Sequence, residues 1–213
     1  MLVNGEGAAN VARAAADAGA ALLYVSTNEV FDGDKGGPYG EDDDPHPINA
    51  YGRSKLAGEE AVREVQDDHF IVRTSWLYGP GRVSFPEKVL ERARTDGRLR
   101  LVTDETASPT WTADLAQAIA RLVRTQAYGT YHLVNSGACS RAEWGREVIR
   151  LAGVDVPVEE TTQAAFGLPF RKPADSTLAN KRGAALGLAL RPWDAALEEH
   201  MRVTGALAMG TGA

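Results

Sequence analysis

The chain has 213 residues, 44% of them hydrophobic, enough for one ordinary core and a small second lobe. Its formal net charge is −6, with 23 Lys and Arg dispersed among 29 Asp and Glu. That balance disfavours nucleic-acid binding and a basic membrane-surface helix, both of which need clustered cations. Cys139 is the only cysteine, so neither an intrachain disulfide nor a cysteine-based zinc site is available, which fits a reducing, cytoplasmic setting. His46, His69, His132 and His200 lack metal-binding spacing, and no metal is expected. The apolar start is interrupted by Glu6, Arg13 and Asp17, and no stretch reaches membrane-spanning length. No membrane partner is expected.

Residues 7–18 carry a helical pattern that Gly19 ends in a C-cap role. The apolar run 21–25 follows, and its continuity suits a central parallel strand. A loop rich in Gly, Asp and Pro occupies 32–48. Asn49 then offers an N-cap for a helix through about Val65. Further strands are expected at 70–75, 99–102 and 131–134, and a helix over 85–95 before Gly97. Thr112 is read as the cap of a helix through Arg124, with Asp114 favourable in its first turn. Ser140 and Glu143 form a capping box for a helix ending near Gly153. The tail from about Pro157 is less regular, with a last helix after Pro192. Strand–helix alternation predicts an α/β layered sheet, with an incomplete Rossmann-like domain over 1–135. Residues 136–213 mainly form a small substrate-binding lobe, interleaved with the first part in space.

The chemistry centres on Tyr51-Gly52-Arg53-Ser54-Lys55. Positions i and i+4 share a helix face, so a phenol and an ammonium converge there. A free tyrosine titrates near pH 10, and a phenolate at neutral pH costs about 4 kcal/mol. A neighbouring cation lowers that cost. Alone, the pattern is common on ordinary surface helices. Here it opens a helix after a long polar loop, and that loop follows a strand ending Val25-Ser26-Thr27. Open α/β sheets bind ligands at such strand ends. Either Ser26 or Thr27 is placed to donate to a reacting oxygen while Tyr51 transfers the proton. Both hydroxyls also suit ordinary turn capping.

Ser26-Thr27-Asn28-Glu29-Val30-Phe31-Asp32-Gly33, 51–59 (YGRSKLAGE) and 73–79 (RTSWLYG) resemble segments of the dTDP-4-dehydrorhamnose reductase family. Ala107-Ser108-Pro109-Thr110 and Arg191-Pro192-Trp193 match its later landmarks, and the resemblance runs from about Val3 to Met201. It implies a Rossmann-like parallel sheet and reduction of the 4-keto group of a dTDP-sugar by NADPH or NADH. Tyr51 is then the proton donor. Lys55 lowers its pKa, and the two contact the cofactor, with Lys55 on the nicotinamide ribose. Thr27 polarises the keto oxygen, while Asn28 and Trp76 contact the sugar nucleotide. Some relatives form a magnesium-bridged homodimer, which no residue of this chain decides. Asn28 stands where the family usually has Asp, Glu29 where it often has Tyr, and 81–85 (GRVSF) replaces a Gly/Asn-rich stretch. These departures bear on which substrate is taken.

The family opens with a strand and a GxxGxxG turn that meets the cofactor pyrophosphate. Gly5-Glu6-Gly7 has no preceding strand and Asn10 in the third glycine's place, so it is not read as that loop. The comparison implies an N-terminally truncated sheet lacking about 75 residues, the first three strands of the nucleotide-binding half. Weak cofactor binding and little turnover by this chain alone follow from that expectation. Two other readings share the residues: a noncatalytic regulatory or binding subunit, and a nucleotide-sugar epimerase or dehydratase. The RTSWLYG and RPW landmarks point away from the last.

Overall fold

The computed structural model describes residues 2–81, 83–167 and 170–208. A π-helical turn, Leu2–Glu6, leads into α1 (Gly7–Asp17), then β1 (Leu22–Thr27), α2 (Ala50–Val65) and β2 (His69–Thr74). Next come β3 (Leu77–Tyr78), α3 (Phe85–Asp96), β4 (Leu99–Val102), β5 (Thr106–Ala107) and β6 (Thr110–Trp111). The second half has α4 (Thr112–Leu122), β7 (Gly129–His132), β8 (Cys139–Ser140), α5 (Arg141–Leu151) and β9 (Val158–Thr161). The short α6 (Gln163–Phe166) and α7 (Arg182–Ala185) precede α8 (Trp193–Val203).

β1, β2 and β7 form a parallel sheet in the order β1-β2-β7. Alternation along β2 sorts its side chains into two layers, as a period of two requires. Ile71 packs with Ala12 and Val62 toward α1 and α2. Phe70 and Val72 pack with Leu115, Ala118 and Leu122 of α4, and with Leu188 and Leu190. The α/β fold is as expected from the sequence. β1 lies at the sheet's edge among the described residues, and it is less buried than its continuous apolar run suggests, with Val25 39% exposed. Two-sided burial is therefore not realised along it. A larger apolar cluster joins α3, β4, α5 and α8 around Trp144, Tyr78 and Leu197. β4 pairs with β9 across a sequence separation that periodicity does not reveal.

Several caps stand where they were read. Asn49 Oδ1 accepts from Gly52 N at 2.8 Å, and Ser140 with Glu143 forms a reciprocal capping box. Gly19 has a left-handed φ of 65° just beyond α1. Thr112 is a correction. Trp111 holds the cap position of α4, Thr112 is its first helical residue, and the helix stops at Leu122. The Thr112 hydroxyl packs instead where a Cβ on Gly79 would meet it at 1.9 Å.

Under the sheet's C-terminal end lies a buried charged network. Arg73 of β2 forks onto Glu59 of α2, Nε to Oε1 at 2.9 Å and Nη2 to Oε2 at 2.7 Å. Arg63 adds a third donor at 2.9 Å. Arg73 Nη1 faces His132 Nε2 at 3.4 Å, and His132 Nδ1 lies 3.1 Å from Tyr39 O. Since a guanidinium only donates, these contacts place the imidazole proton on Nδ1. Burial first, and Arg73 second, hold the His132 pKa down at about 3.

The unfolded chain takes up that proton near pH 6.5, and the folded chain only near pH 3. Stability from this site is complete above about pH 6.5 and falls as pH drops through the window, by up to about 1.4 kcal/mol per unit. Burial works to raise the Glu59 carboxyl, but the Arg73 hydrogen bonds and charge outweigh it and hold the group below its ordinary 4.5. Its contribution is present above about pH 4.5 and lost below. Urea midpoints are expected to fall between pH 7 and pH 4, with His132→Gln flattening the upper part of that slope. A midpoint independent of pH in the parent chain contradicts this burial.

Candidate functional site

β1 and β2 run in parallel register, Thr27 beside Thr74, so both strands deliver their following residues to one end of the sheet. The turn after β1 is a single 3-10 turn, Asn28–Val30, capped by Thr27, whose hydroxyl accepts from Glu29 N at 3.2 Å. α2 reaches the same place because Gly52 has no side chain: a Cβ there would stand 2.0 Å from Glu29 O. Asn49 adds a second tie, Nδ2 to Glu29 Oε2 at 2.8 Å. Gly58 lets the middle of α2 close on Tyr24 in the same way.

The result is a cavity of about 380 Å³ whose walls include Thr27, Asn28, Tyr51, Lys55 and Trp76. All five residues singled out in the sequence meet there. Ser26, Glu29, Ser75, Leu77 and Arg141 complete much of the lining. The Lys55 ammonium donates to Val25 O at 2.6 Å and lies 4.1 Å from the centre of the Tyr24 ring. Burial lowers its pKa and Glu59, one turn along the helix, partly restores it.

Tyr51 is half exposed, yet desolvation around its phenol raises the pKa above 10, the Thr27 hydroxyl pulls it back, and Glu29 adds to the rise. Burial, rather than the charge of Lys55, sets the direction of that shift. The phenol is therefore the protonated, donor form at neutral pH.

Asn28 is more committed than the sequence indicates. Its Oδ1 accepts from Thr27 Oγ1 at 3.2 Å and its Nδ2 donates to Ser176 Oγ at 2.6 Å. It borders the cavity while orienting the Thr27 hydroxyl. Of the departing segment at 81–85, Arg82 lies outside the described residues, and Val83 to Phe85 border a second cavity beside the first.

Trp76 is the only non-glycine residue with positive φ (43°) among those described. For an L-residue this conformation costs about 1–2 kcal/mol, so surrounding contacts must hold it. Its carbonyl accepts from Thr110 N at 3.3 Å, and Ser75 Oγ donates to Ser108 O. The ASPT landmark thus locks the backbone on which Trp76 sits. The RPW landmark is structural too: Arg191 Nη2 meets Asp114 Oδ1 at 2.6 Å, and Asn135 Nδ2 bonds both Asp114 and Arg191 O.

Sequence reasoning missed Arg141. Its guanidinium carbon lies 3.5 Å from the centre of the Trp76 ring, and its Nη2 lies 3.2 Å from Glu105 Oε1. Among the described residues no helix is long and apolar enough to cross a membrane, and no cluster of three metal-ligating side chains occurs.

Residues 1–205 match the family described as RmlD substrate binding domain. The chain is 42% identical to a dTDP-4-dehydrorhamnose reductase of Streptomyces griseus, covering 93% of this chain and 68% of that protein. It is 38% identical to the spore coat polysaccharide biosynthesis protein SpsK of Bacillus subtilis (strain 168), over 94% of this chain and 71% of the relative. Among solved structures, a dTDP-4-dehydrorhamnose reductase from Bacillus anthracis in complex with NADP superposes with TM-score 0.91. It is 38% identical, over 94% of this chain and 72% of that one.

Proposed function

The chain belongs to the RmlD substrate-binding-domain family, which takes in dTDP-4-dehydrorhamnose reductases, and from that premise we propose that it reduces the 4-keto group of a dTDP-linked sugar. The observation that carries the reading is the convergence of Thr27, Asn28, Tyr51, Lys55 and Trp76 on one cavity at the sheet's C-terminal end.

The donor set fits the ribose end of a nicotinamide dinucleotide. Lys55 spends one of three N–H groups on Val25 O and keeps two for hydroxyls, and Tyr51 lines the same cavity. Bound there, that cofactor supplies the hydride for the carbonyl carbon. Tyr51 gives its proton to the carbonyl oxygen, and the Thr27 hydroxyl, turned from Asn28 Oδ1, donates its one hydrogen bond to that oxygen as its charge develops. Solvent then restores the Tyr51 proton. Trp76 provides an apolar wall for the sugar.

At millimolar NADPH, oxidation of the cofactor is expected to depend on added dTDP-4-keto-6-deoxyhexose and to stop when it is omitted. Oxidation independent of the sugar, or none at any concentration of either, removes the reading.

A further inference from the structure

We infer that Arg141, resting on the proposed keto-sugar reductase reading, is a positioning residue that holds the Trp76 ring in the wall of the catalytic cavity. Arg141 opens α5, the helix end at which the macrodipole disfavours a cation. It is kept there by tertiary contacts. Its backbone N donates to Glu105 O at 3.1 Å, and its Nε and Nη2 face Glu105 Oε1 at 3.4 and 3.2 Å. So tied, the guanidinium lies 3.5 Å from the Trp76 ring centre, 5.2 Å from that of Phe85 and 5.5 Å from that of Trp144. Trp76 also stacks on Trp144, with ring centres 5.6 Å apart and planes 8° from parallel.

The Thr110 bond fixes the left-handed backbone of Trp76, and the ring itself is held by Arg141 and Trp144. Its place gives the clamp a consequence. Arg141 and Leu77 are the two described residues that border both the catalytic cavity and the neighbouring one of about 680 Å³. A ring free to swing would change the shape of the catalytic cavity without touching Tyr51, Lys55 or Thr27. The effect belongs in substrate affinity rather than in the proton-transfer step.

Arg141→Gln is a usable probe because Lys172 Nζ lies 3.2 Å from the same Glu105 oxygen and keeps that buried carboxylate paired. Arg141→Lys retains a cation for Glu105 but loses the planar stack. Both are expected to raise KM for the dTDP-keto-sugar about tenfold, with kcat within about twofold of the parent. Both are expected to increase acrylamide quenching of Trp76 several-fold, taken as the difference from the same variants carrying Trp76→Phe. Trp76 quenching unchanged in Arg141→Gln overturns the inference, as does a parent-like KM. If Arg141→Gln does not fold, Arg141→Lys decides by the same two measurements. Should the parent show no sugar-dependent turnover, the reductase reading fails, while quenching still decides whether Arg141 holds Trp76.

Discussion

Replacing Tyr51 by Phe is expected to slow keto-sugar reduction by about 10²–10⁴-fold, the range removed with a positioned general acid. The change deletes one oxygen from a half-exposed side chain, so stability is expected to stay within about 0.5 kcal/mol. Thr27 and Lys55 keep their own partners, Asn28 and Val25 O, and substrate binding should change little. The raised phenol pKa gives a further sign: donor capacity is full at neutral pH and declines only on the alkaline side. Initial rates with thermal unfolding of both proteins check this. Reduction surviving at a comparable rate in Tyr51→Phe removes Tyr51 as the main proton donor.

The largest effect on stability is expected from Glu59→Gln. Glu59 and Arg73 are both almost fully buried, at 0% and 2% side-chain exposure, and their fork joins the helix carrying Tyr51 to the strand leading to Trp76. Removing one charge leaves the other buried without compensation, at a cost of about 3–5 kcal/mol. Arg63 adds to the penalty, because its guanidinium also donates to Glu59. Replacing both partners with apolar residues, as in Glu59→Leu with Arg73→Met, is expected to cost less than either single change. Urea unfolding of the two singles and the double decides it. A loss below about 1 kcal/mol for Glu59→Gln contradicts a tightly buried pair.

These residues show which parts of the site the sequence makes legible. Local signals succeed: Asn49 and Ser140 are caps with partners three residues away, and their positions follow from spacing alone. Ser84 and Glu87 form a second capping box of the same spacing that the sequence reading passed over. Tyr51 and Lys55 are legible because one helical turn separates them and a strand end precedes them. Contacts between distant segments are not legible. Arg141 reads as an unremarked basic residue at a helix start, and its partners Trp76 and Glu105 lie far away along the chain, as does Lys172, which shares Glu105. The Glu59–Arg73 pair joins two motifs whose residues give no sign that they meet. Lys55 shows the converse: its helical spacing from Tyr51 is right, but Tyr24 and Val25 O determine where its charge goes.

Deuterium transfer tests the proposed chemistry most directly. The protein is incubated with dTDP-4-keto-6-deoxyhexose and NADPH deuterated at the transferring position of the nicotinamide, and the sugar nucleotide is analysed by mass spectrometry. A product with one deuterium on the new carbinol carbon, formed by the parent and about 10²–10⁴-fold more slowly by Tyr51→Phe, is the expected result. A product without deuterium, or equal labelling by Tyr51→Phe, contradicts reduction at this site with Tyr51 as the acid.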